Sequence, residues 1–145
     1  MVTRALDLDL ASPLLAGAPP HGRTIVLTTQ AAPAERRAAA ARTAEVIVAG
    51  EATVDVMAAL EALGERGYPR VLTEGGPHLL AQIAAEGLLD ELCLTLSPLL
   101  AGPGADRIVT GGLPLPGGGP EPFTLRHALE ADGFLLCRYV REGAD

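Results

Sequence analysis

The chain has 145 residues, 48% of them hydrophobic and 20% charged, and a formal net charge of −7. That length suits one domain with a real core better than two, so a single domain over residues 1–145 is expected. No apolar run approaches a membrane span, and eleven arginines dispersed along an acidic chain form no basic stripe, so neither a membrane nor a nucleic acid is expected as a partner.

The opening stretch MVTRALDLDLASP sets acids among its apolar residues where a signal peptide needs an apolar block behind a basic start, so a cytoplasmic location is expected. TIVLTT (residues 24–29) is a β-branched run that predicts a strand. In PAERRAAAAR, which follows, a proline at the first helical position precedes strong helix formers. AEVIVAG (residues 44–50) repeats the strand signal, and VDVMAALEALGERG (residues 54–67) places Val56, Leu60 and Leu63 on one helical face before its closing glycine. RVLT (residues 70–73) predicts a third strand, followed by a helix over residues 77–86 that buries Leu79, Leu80 and Ile83 and ends at Gly87. Three strand and helix units in succession imply an α/β sheet.

Beyond that helix the pattern changes. DELCLTLSPLL alternates with period two, and Ser97-Pro98 marks a bend or bulge, so later strands are expected to be partly antiparallel. AGPGADRIVTGGLPLPGGGPEP reads as a surface loop, and FTLRHALEADGFLLCRYVR as two strands joined at Asp132-Gly133. Cys93 and Cys137 each sit in an apolar stretch and are expected as buried free thiols.

The most informative junction is TEGGP, residues 73–77. A strand that passes through Gly75 and Gly76 into a helix with Pro77 in its first turn leaves backbone N–H groups free at the helix start. Glycines admit a phosphate close to the backbone, and the helix dipole favours its charge. The plain alternative is a tight strand-to-helix turn without a ligand. Glu74 would be repelled by a phosphate, so it is expected to serve hydroxyl or amine donors of a second ligand.

TEGGPHLLAQIAAEGLLDELCLTLSPLLAGPGADRI resembles the reductase domain of bacterial bifunctional riboflavin-biosynthesis deaminase-reductases, and more closely the stand-alone pyrimidine reductase family. Its most specific pieces are Glu74-Gly75-Gly76-Pro77, Gly87-Leu88-Leu89-Asp90-Glu91-Leu92, and Ser97-Pro98 with the Leu-Leu-Ala-Gly that follows. The resemblance runs from about Leu6 to Arg141. It implies a dihydrofolate-reductase-like, three-layer α-β-α fold with a mostly parallel sheet and antiparallel C-terminal strands. It implies also that NADPH reduces the ribosylamino group of a 5′-phosphorylated pyrimidine to a ribitylamino group, and that the protein is a homodimer. Carried over, Gly75, Gly76, Pro77, His78, Leu79 and Leu80 hold cofactor phosphate, Glu74 contacts substrate, and Thr3 and Arg4 lie near the adenosine side of the cofactor. Arg4 offers a guanidinium fork to the 2′-phosphate, with a solvated side chain as the alternative. His78 stands where members often have a small hydroxyl residue.

Family members begin further upstream, with a strand and helix bearing a Ser-x-Asp-Gly-type motif and a further Gly-rich strand. On this resemblance the chain is N-terminally truncated, starting inside the strand that ends at Thr3 and Arg4. His21, His78 and His127 are scattered over different elements, so no metal site is expected. Asp90 and Glu91 point to opposite faces of a strand and do not form a catalytic pair. Gly117, Gly118 and Gly119 lack a following helix and read as linker. Two function classes follow: an NADPH-dependent reductase, on this or a related pterin-like or pyrimidine substrate, and a catalytically incomplete nucleotide-binding fragment that needs the missing elements or a partner chain.

Overall fold

The run IVLT forms strand β1 (Ile25–Thr28), and EVIV forms β2 (Glu45–Val48). The two pair in parallel, from Ile25 opposite Glu45 to Thr28 opposite Val48. A parallel pair needs a crossover, supplied here by helix α2 (Ala34–Ala40), which Pro33 caps from just outside. These elements belong to a computed structural model that describes residues 1–104 and 107–143, divided into two compact units, Met1–Leu72 and Thr73–Asp145. Ala105 and Asp106, within the long Gly/Pro loop read from the sequence, lie outside the described residues.

In the first unit the β1–β2 pair is covered on both faces. Successive residues of β1 point to opposite sides, so Val26 packs with Leu6, Leu15, Ala32, Ala40 and Ala44, while Leu27 packs with Ile47, Ala49 and Ala59. Two buried faces account for a continuous apolar run where a half-exposed strand would alternate. Leu15 is carried by the short helix α1 (Pro13–Ala16). Residues 1–3 run along the free edge of β1: the Leu27 N–H donates to Met1 O at 2.8 Å and the Thr3 N–H to Leu27 O at 2.9 Å. Helix α3 (Val56–Glu65) starts at Asp55, whose side chain accepts from the Ala58 N–H, and it buries Val56 and Ala59, leaving Leu60 and Leu63 partly covered. At its other end the Tyr68 N–H reaches back to Leu63 O and the Gly67 N–H to Gly64 O, with Gly67 at φ 85°. Only glycine takes that left-handed position without steric cost.

The expected strand at residues 70–73 is not formed. Residues 68–76 have neither helix nor strand, and Val71 and Leu72 are 48% and 80% exposed. A β-branched run has strand propensity, but a strand exists only with a partner to complete its hydrogen-bond ladder. No strand pairs with this segment among the described residues.

The second unit combines helix α4 (Pro77–Ala85) with strands β3 (Glu91–Leu96), β4 (Phe123–Ala131) and β5 (Phe134–Arg141), in the antiparallel order β3-β5-β4. The β4–β5 turn is the expected one, with Asp132 at φ 51° and Gly133 at φ 81°, the signs a two-residue type I′ hairpin requires. Helix α4 buries Ala81, Ile83 and Ala84, whereas Leu79 and Leu80 are only partly covered, a shift of the expected face. It ends as α3 does, with the Leu88 N–H on Ile83 O and the Gly87 N–H on Ala84 O. Arg141 ties this end to the sheet, donating to Gly87 O at 2.6 Å and to Asp90 at 2.9 Å. Across β3 and β5, Arg138 forks onto both carboxylate oxygens of Glu91, and that hydrogen bonding raises the guanidinium pKa further.

Cys137 is buried as expected, but Cys93 is exposed. Along β3 the half-buried positions are Leu92 and Leu94, so Cys93 between them faces the other way. Cys93 pairs in register with Arg138 and Cys137 with Leu94, which sends the two thiols to opposite faces of the sheet; both are free.

Candidate functional site

The head of α4 is built from the TEGGP junction. The Gly75 N–H folds back onto Thr73 Oγ1 at 3.3 Å. Gly76 is the N-cap, extended at φ −67° and ψ 176°, and its carbonyl accepts from the Leu79 and Leu80 N–H groups at 3.0 and 3.2 Å. Pro77 has no N–H to satisfy. The backbone N–H groups of Gly76 and His78 therefore have no partner among the described residues. No side chain caps the helix, and its first turn carries no acid. Two free donors with the positive end of the helix dipole behind them suit an anion.

The two glycines differ in their surroundings. A Cβ on Gly75 would stand 2.6 Å from Leu79 Cδ2 and 3.2 Å from Leu79 Cβ, so a side chain there would oblige Leu79 to shift. A Cβ on Gly76 would meet nothing within 4 Å, so a side chain there would project into open space. The absence of that side chain lets a phosphate approach the backbone. Glu74 is exposed and makes no side-chain hydrogen bond or ion pair among the described residues. Its carboxylate faces solvent.

A neighbour that the sequence did not announce lies beside this helix start. The Thr110 N–H donates to Pro77 O at 3.4 Å, and a Cβ on Gly111 would come within 3.4 Å of His78 Nδ1. The loop around Thr110 and Gly111 thus lies over the first turn of α4. It is more than thirty residues downstream and has no periodicity, so no local signal ties it to the helix. The Thr73 hydroxyl that accepts from the Gly75 N–H does have a local signal, a threonine two residues before a glycine.

Of the predicted residues, Glu74, Gly75, Gly76, Pro77, His78, Leu79 and Leu80 form one contiguous patch in the second unit. Thr3 and Arg4 belong to the first unit. There Thr3 is engaged by the fold: its N–H is bonded to Leu27 O, and its hydroxyl oxygen accepts from the Leu6 N–H at 3.2 Å. The Arg4 carbonyl accepts from the Thr29 hydroxyl at 3.1 Å, while its guanidinium is exposed and unpaired among the described residues. Arg4 is therefore the freer of the two to meet a ligand. No group of three or more metal-ligating side chains gathers among the described residues, and no helix there is long and apolar enough to cross a membrane.

The model of the RibD C-terminal domain matches residues 2–130. The chain belongs to the RibD C-terminal domain family. Among its relatives is the 2,5-diamino-6-ribosylamino-4(3H)-pyrimidinone 5′-phosphate reductase of Methanothermobacter thermautotrophicus, 34% identical over 105 residues, covering 68% of this chain and 49% of the relative. The protein of the same name from Archaeoglobus fulgidus is 35% identical over 82 residues, covering 57% of this chain and 37% of the relative. The matches thus span half or less of these relatives' length. In fold, the chain is similar to a pyrimidine reductase-like protein of Corynebacterium diphtheriae, with a TM-score of 0.78, 24% identity, and coverage of 97% of this chain and 59% of that one. It is similar also to RibD of Acinetobacter baumannii, with a TM-score of 0.73, 18% identity, and coverage of 97% and 36%. The parallel pair followed by an antiparallel sheet is the α/β pattern of these reductase folds.

Proposed function

We propose that this RibD C-terminal domain chain is an NADPH-dependent reductase of riboflavin biosynthesis acting on a 5′-phosphorylated ribosylaminopyrimidine. The observation that carries the reading is the head of α4, where the N–H groups of Gly76 and His78 are unpaired and the space over Gly76 is open. Family membership supports the reaction class, and the names of the two archaeal relatives support the substrate class.

When bound, NADPH supplies the hydride that converts a ribosylamino to a ribitylamino group. The Gly76 and His78 N–H groups hold a cofactor phosphate, with Gly75, Pro77, Leu79 and Leu80 shaping the turn that presents them. In the first unit, taken by itself, the exposed Arg4 guanidinium suits a phosphate group by its fork geometry. Glu74 accepts hydrogen bonds from hydroxyl or amine donors of the pyrimidine substrate and so fixes its orientation. Catalysis on this reading rests on positioning donor and acceptor and excluding water, with no protein nucleophile. A cytoplasmic homodimer with a small-molecule substrate completes the proposal, the pairing surface being the region of β3 and β5, where Leu96 and Leu135 lie opposite each other in register and are both exposed.

The test is turnover of the phosphorylated ribosylaminopyrimidine, followed by the loss of NADPH absorbance, in the wild type and in Glu74→Gln. The variant is expected to lose roughly tenfold or more in turnover while its NADPH affinity changes by less than about twofold. Equal losses in both, or none in either, would remove Glu74 from the substrate site. A second reading is favoured by the span of the matches, 49% and 37% of the two relatives: the chain binds nucleotide but does not turn substrate over by itself. NADPH binding without NADPH consumption would select it.

A further inference from the structure

We draw no further inference here: the strongest candidate, the exposed apolar end of the β4–β5 hairpin around Leu129, Phe134 and Leu136, carries nothing because nothing in the structure shows what covers it.

Discussion

A single methyl group distinguishes the two glycines at the head of α4. Added to Gly75 it overlaps Leu79, and added to Gly76 it enters open space. Gly75→Ala is therefore expected to destabilise the protein by about 0.5–1.5 kcal/mol, the cost of turning Leu79 off its rotamer, whereas Gly76→Ala stays within about 0.5 kcal/mol of the wild type. Urea denaturation of the two variants checks this, and equal costs would contradict the packing described. The sequence pattern singled out both glycines but assigned them a common purpose. It could not separate them, because the clash with Leu79 depends on how one side chain lies over the turn. Cys93 shows the same limit. Its apolar neighbours suggested burial, yet on a strand it is the next-but-one residue that shares a face, and Leu92 and Leu94 take the covered side.

At the scale of elements, what could be read from the sequence was what short-range chemistry determines. Both long helices stop at a left-handed glycine, Gly67 or Gly87, and the hairpin turns at Asp132-Gly133, because these conformations are local. What could not be read depends on partners. Residues 70–73 have the composition of a strand and no ladder to join, and α4 turns Ala81, Ile83 and Ala84 inward while Leu79 and Leu80 stay partly open. The amides of Val71 and Leu72 should accordingly exchange with solvent far faster than that of Leu27, which donates to Met1 O in the middle of the first unit. Leu72→Ser, at a position 80% exposed, should change stability by no more than about 0.5 kcal/mol. Hydrogen exchange followed residue by residue decides the first point and denaturation the second. Protection at Val71 and Leu72 equal to that at Leu27 would mean that the segment is paired in solution.

At the scale of the whole molecule, the change from helix-connected strands to alternating ones near Asp90 marked the passage from a parallel to an antiparallel sheet, and the structure has both. The exposed apolar residues of β3 and β5 underlie the proposed homodimer, for which light scattering at micromolar concentration should return twice the chain mass; a folded monomer would contradict it. The reductase reading itself depends most on the place given to the cofactor phosphate. Gly76→Val puts a branched side chain on the residue that carries one of the two unpaired N–H groups, at a backbone φ of −67° that valine tolerates. The direct measurement is calorimetric titration of NADPH into the wild type and into this variant, each first shown to be folded by its far-ultraviolet dichroism. The wild type should bind, and the variant should bind roughly tenfold or more weakly, a loss of about 1.4 kcal/mol or more. NADPH affinity unchanged by the valine would show that the phosphate does not sit at the head of α4.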